Sequence, residues 1–137
     1  MIAITAANNL ITKYGTADPF ELCDCLGVNV AFDNLGKIRG YYVKNRRQKF
    51  IVLSATLEHF QRRIVCAHEL GHAILHPDLS TPFYTEHTWL SKDRFENEAN
   101  HFAAALILAS FSSDELDGLG LEQISIFTGL PVEYIKK

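Results

Sequence analysis

An α+β fold in one domain is what this sequence predicts, and three features of its 137 residues lead there. Apolar residues recur at helical spacing in several stretches and alternate at strand spacing in three short ones. Most of these stretches are bounded by a capping residue, a glycine or a proline. No repeat, low-complexity tract or linker interrupts the order. Residues 1–137 therefore read as a single domain with a short helical tail over about 114–137.

The elements follow in order. Ile2, Ile4, Leu10, Ile11 and Tyr14 make a loose helical pattern that Gly15 ends. Asp18 and Pro19 form an N-cap and first helical residue for a second helix, which runs through Phe20, Leu22, Cys23 and Leu26 to Gly27. Val28, Val30 and Phe32 alternate as a short strand. Ile38 to Val43 and Phe50 to Leu53 are two more, joined by the polar turn Lys44 to Lys49, so a three-stranded meander is expected. Ser54 or Thr56 caps a long helix that Pro77 stops after Leu75 or His76. A polar, aromatic-bearing loop covers roughly 77–91, and Ser91 caps a helix to about Ala109. A helix from Leu121 to Phe127, the turn Gly129-Leu130-Pro131 and a last helical turn complete the chain.

Composition excludes several classes. The formal charge is −3, from 13 basic and 16 acidic residues, and 47% hydrophobic with 21% charged residues is ordinary for a soluble domain. Apolar runs such as Ala103 to Ala109 fall far short of the roughly 20 residues of a membrane span. The N-terminus lacks the pattern of a signal peptide. Three cysteines, Cys23, Cys25 and Cys66, are too few and odd in number for a disulfide framework, which fits a cytoplasmic setting. Cys23 and Cys25 read as buried thiols rather than metal ligands. The acidic balance gives no reason to expect direct nucleic-acid binding, and Arg46-Arg47-Gln48-Lys49 reads as a charged hairpin turn. No membrane partner is expected.

The chemistry concentrates in Arg63 to His76, where His68-Glu69-Leu70-Gly71-His72 matches the pattern of zinc-dependent hydrolases. Two histidines four residues apart on a helix share one face and can bind a single Zn²⁺. Glu69, next to that face, can reach a water there and take its proton as it attacks a carbonyl. Ile64, Ala67, Gly71 and Ile74 form a stripe for burial beside the histidines. Gly71 costs a helix about 1 kcal/mol against alanine, so its presence implies a close neighbour.

A catalytic zinc needs a third protein ligand. His76 lies one turn too far along the same helix. Asp78 falls at a spacing used after a glycine turn, but Leu75 stands where that glycine would be. Glu96 is favoured. On the helix around it, Phe95, Ala99, Phe102 and Leu106 form the core stripe, and Glu96 and Asn100 share the adjacent line. Asn100 is placed to support a ligating histidine through the nitrogen that does not face the metal. Glu98, about 200° around the helix from Glu96, is expected to be solvated. Tyr84 and His87, in the loop between the two segments, are candidates to stabilise an oxyanion.

Ala67-His-Glu-Leu-Gly-His-Ala-Ile-Leu-His76, followed by Glu96-x-x-Ala-Asn-x-Phe-Ala103, resembles the ImmA/IrrE family of metallo-endopeptidases. The early Asp18-Pro19 helix, the hairpin before the histidine helix and the segment Leu121 to Ile135 extend the resemblance over nearly the whole chain. Ala109, where the family commonly has proline, and Cys66, where it has another small or apolar residue, depart from it. The resemblance implies a helical, gluzincin-like zincin domain with a small three-stranded, antiparallel-containing sheet packed on the His68–His72 helix. It also implies Zn²⁺ held by His68, His72 and Glu96, with Glu69 as general base. Its substrate class would be a helix-turn-helix repressor of a mobile element, prophage or stress operon. The other function considered is a non-hydrolytic, metal-containing interaction module that holds a repressor or antitoxin. The end segment itself, with Val132, Glu133 and Tyr134 where a DNA reader carries Arg, Lys, Asn or Gln, is expected to pack on the domain.

Overall fold

Residues Ile64 to Ala73 are all buried, so the helix that carries the two-histidine motif is enclosed on every side rather than along one stripe. This helix organises the computed structural model, which describes residues 1–79, 83–84 and 93–135. Among these residues the order is α1 (Ile2–Tyr14), α2 (Pro19–Leu26), β1 (Asn29–Asp33), β2 (Ile38–Asn45), β3 (Gln48–Ser54), α3 (His59–Leu75), β4 (Phe83–Tyr84), α4 (Arg94–Ala109), α5 (Ser113–Leu116), α6 (Leu121–Thr128) and α7 (Val132–Ile135). The fold is α+β. The sheet packs on α3, α4 packs along it, α2 also touches it, and α1 covers α4.

The strands are where alternation places them, but they are not a meander. The sheet order is β1-β3-β2-β4. β1 runs parallel to β3, with Ala31 opposite Val52, while β2 and β3 form an antiparallel hairpin. Alternation marks a strand without naming its neighbour, so pairing by chain order failed at β1. The two-residue β4 adds a strand inside the segment read as loop. The hairpin turn is also tighter than expected. β2 and β3 extend to Asn45 and Gln48, leaving Arg46 and Arg47 at φ 50° and 69° as the two turn residues. That left-handed pair matches the twist of the strands, which is why such turns close hairpins even without glycine.

Helix starts show the same kind of shift. α3 is capped by Glu58, whose side chain and that of Gln61 form a capping box, and not by Ser54 or Thr56. Asp93 caps α4 by accepting hydrogen bonds from the backbone N–H groups of Phe95 and Glu96. Asp18 caps α2 with Pro19 as first residue, as its sequence indicates. Cys23 is buried, its Sγ 4.0 Å from Cys66 Sγ, whereas Cys25 is exposed. Residues two apart on a helix face opposite ways, so only one of the two thiols could join the core. The tail packs on the domain: Leu130, Tyr134 and Ile135 are buried, and α7 contacts α4.

Candidate metal centre

The site lies where α3 and α4 come closest, and Gly71 sets that distance. A Cβ at Gly71 would stand 3.2 Å from both the Cα and the carbonyl oxygen of Ala99, and 3.2 Å from Phe102 Cδ1. With no side chain there, α4 approaches closely enough for a glutamate to span the gap. Glu96 Oε1 lies 3.0 Å from His68 Nε2, and Glu96 Oε2 lies 2.9 Å from His72 Nε2. The two imidazole rings meet edge to face, centroids 4.8 Å apart.

Burial decides the charge state of these groups. Desolvation lowers the His68 pKa to about 4, against the pull of Glu96, so the ring is neutral at neutral pH with a lone pair to share. Burial pushes the Glu96 carboxyl up, but hydrogen bonding and charge from His68 and His72 outweigh it and bring the pKa down to about 2. Glu69 is fully buried and, among the described residues, accepts no hydrogen bond on either carboxylate oxygen. Desolvation, helped by the nearby Glu96 charge, holds its carboxyl well above the usual range.

These residues fit a metal. His68, His72 and Glu96 are the one group of three or more His, Cys, Asp or Glu among the described residues whose ligand atoms all lie within 4.8 Å of one another. Two imidazole nitrogens and a carboxylate are a set that zinc accepts. Ligand atoms on a tetrahedral zinc stand about 3.3 Å apart, close to the spacing seen here. His72 Nε2 and Glu96 Oε2 are buried 2.9 Å apart, and neither has another hydrogen-bond partner among the described residues. A buried nitrogen–carboxylate contact of this kind needs a positive charge between the two atoms, either a proton on the ring or a metal ion.

The other expected site residues fall in several places. Asn100 is buried beside His68, with its Nδ2 donating to Tyr134 Oη at 3.3 Å and its side chain also bonding to His68. Tyr134 in turn donates to Asn97 Oδ1 at 3.0 Å. The Tyr84 side chain and all of His87 lie outside the described residues. Asp78 is far from the histidines in function, paired with Lys44 at 3.3 Å. Glu98 is not simply solvated: its Oε1 is 2.6 Å from His76 Nε2, and His76 Nδ1 is 3.1 Å from His72 Nδ1. His76 ends α3 with φ −135° and ψ 58°. Its ring therefore leaves the helical line that its register implies and reaches the Glu98 side of α4. Four-residue spacing from His72 was the signal for this pair, and its partner on α4 was not readable from spacing alone.

Two comparisons with known proteins bear on this arrangement. A family model described as the IrrE N-terminal-like domain, of the M78 peptidases, matches residues 23–112. The chain is 40% identical over 131 residues to an uncharacterized immunity region protein 2 of Bacillus phage phi105, covering 93% of this chain and 83% of the phage protein. It is 32% identical over 129 residues to the metallopeptidase ImmA of Bacillus subtilis (strain 168), covering 90% of this chain and 75% of that protein.

Proposed function

The chain belongs to the ImmA/IrrE family of metallopeptidases, and we propose that it is a zinc-dependent endopeptidase that cuts a helix-turn-helix repressor. One observation carries the reading: His68, His72 and Glu96 converge in the buried interior while Glu69, one position along from His68 on the same helix, has a carboxylate with no hydrogen bond among the described residues. Zinc, when bound, polarises a scissile carbonyl and acidifies water. His68 and His72 would each present a ring nitrogen to the metal, and Glu96 would neutralise part of the added charge. Glu69 accepts a proton from the attacking water and passes it to the leaving amine. Asn100 steadies His68. The peptide lies extended along an edge of the sheet, adding a strand. The repressor as substrate draws on the immunity-region relative and on the exposed acidic residues of the tail, which complement a basic DNA-binding surface.

The test has two parts. Purified protein binds close to one zinc per chain, and alanine at His68, His72 or Glu96 removes most of it. Glu69→Gln keeps zinc and fold but lowers cleavage of a co-expressed helix-turn-helix partner by at least about 100-fold, as expected for a lost general base. Binding of that partner without cutting, with repression lifted equally by wild type and Glu69→Gln, would replace the peptidase with a non-hydrolytic binding module.

A further inference from the structure

The family match, the ligand cluster and Glu69 leave the contact chain His72–His76–Glu98 without a role. For His72 to hold a metal through Nε2, the atom that faces Glu96 Oε2 at 2.9 Å, that nitrogen must be bare and the ring proton must sit on Nδ1. His72 Nδ1–H then donates across the 3.1 Å contact to His76 Nδ1, and the His76 proton sits on Nε2, where it donates to Glu98 Oε1 at 2.6 Å.

We propose that His76 and Glu98 are positioning residues that fix His72 in its metal-ligating tautomer and orientation, through the hydrogen-bond chain His72 Nδ1–H to His76 Nδ1 and His76 Nε2–H to Glu98. The packing supports a fixed geometry. His76 is buried and its ring meets that of Phe95 edge to face, centroids 4.8 Å apart. Phe95 and Glu98 are one turn apart on α4, so one face of that helix holds the His76 ring by both contact and hydrogen bond. Glu98 itself is part-exposed, with 39% of its side chain accessible, which leaves its charge hydrated at one end. His76 does not serve as a fourth ligand, because its Nδ1 is engaged by His72 Nδ1, on the edge of that ring away from Glu96, and its Nε2 by Glu98. Outer hydrogen bonds of this kind raise the basicity of a ligating imidazole and hold its ring in place.

The inference rests on the metal reading above, and its test separates the two. Histidine-labelled protein, stripped of metal, is examined by long-range ¹H–¹⁵N NMR at neutral pH, where each tautomer has its own signature. Wild type is expected to show His72 protonated on Nδ1 and His76 on Nε2. Glu98→Gln, isosteric but able to donate as well as accept, mixes the two forms at both rings. Zinc affinity, measured by chelator competition, should fall about 10- to 100-fold in Glu98→Ala and His76→Phe. The Glu98→Gln variant, with an unchanged melting curve, should weaken it less. A wild-type His76 protonated on Nδ1, or zinc affinity within about twofold of wild type in both Glu98→Ala and His76→Phe, overturns the assignment. If wild type takes up no zinc, the metal reading fails, while the wild-type tautomers still decide whether the chain orients His72.

Discussion

Glu69 shows how a single side chain can be placed against the stability of its own fold. Its carboxylate is fully buried without a hydrogen-bond partner among the described residues, and burial holds its pKa well above the usual carboxyl range. A group raised in the folded state contributes fully at pH below its unfolded value, and that contribution is lost as pH rises through the folded value. In metal-free protein at neutral pH the residue is therefore a liability. Glu69→Gln is expected to raise the melting temperature of the metal-free protein at pH 7 to 8. The gain should shrink to nothing as the pH falls below about 4.5. A melt series on zinc-stripped wild type and variant reads both the sign and its pH dependence. An unchanged or lower melting temperature at pH 8 would mean that Glu69 is stabilised by a group not evident in its surroundings. The burial of this residue could not be read from its neighbours in sequence. An ordinary charged residue on a helix is normally at the surface, and only the second and third layers packed around α3 take it out of water.

At the scale of elements, the α3–α4 contact is the structural condition for the site. Gly71 was legible as a point of close approach, because glycine in mid-helix is unfavourable without such a reason. The partner was not legible: it is the Ala99 backbone, 3.2 Å from where a Cβ would stand. A backbone atom cannot swing aside like a long side chain, so Gly71→Ala must move α4 as a unit. That movement separates Glu96 from both histidines. The substitution is expected to lower stability by about 1–2 kcal/mol despite alanine's higher helix propensity, as overpacked cores do. Zinc affinity should fall with it. Thermal melts and chelator competition check the pair of effects, and a stabilised variant with unchanged zinc affinity would show that α4 can yield. Helix starts and strand pairing belong to the same scale. Several capping residues stand near the start of α3, and only the packed helix selects Glu58 with Gln61. The parallel β1–β3 pair likewise depends on chain crossing that local alternation does not encode.

For the whole molecule, charge and tail matter most. The formal charge is −3, and Asp114, Glu115, Asp117, Glu122 and Glu133 in the tail are all exposed. The tail is tied to the domain through Leu130, Tyr134 and Ile135, and through the bonds linking Tyr134 to Asn97 and Asn100. An acidic surface held in place in this way is complementary in charge to a basic partner of the kind proposed above. Converting Asp114, Glu115 and Asp117 to lysine is expected to slow association with a basic helix-turn-helix partner by about tenfold at low salt. Dissociation should change little, since complementary charge acts mainly on the encounter. Association rates measured across a salt series test this. A rate that ignores both the substitutions and the salt would remove the tail from partner recognition. No helix among the described residues is long and apolar enough to cross a membrane.

The sequence by itself determined the α+β class, the helix ends at Gly15 and Gly27, the segments that become strands, and the candidate pair His68 and His72. Each depends on spacing within a few residues or on a local turn preference, and such information is carried by neighbours along the chain. Glu96 and Asn100 were legible as candidates from their shared line on one helix, but tertiary structure alone decided how residues are arranged around the two histidines. It brought Glu96 within 3.0 Å of His68 across 28 positions, buried Glu69, turned His76 off the end of α3 towards Glu98, and ran β1 parallel to β3. Those outcomes depend on how closely separate elements can approach and where one of them ends. That is a matter of packed volume and backbone contact, which periodicity in a single segment does not contain.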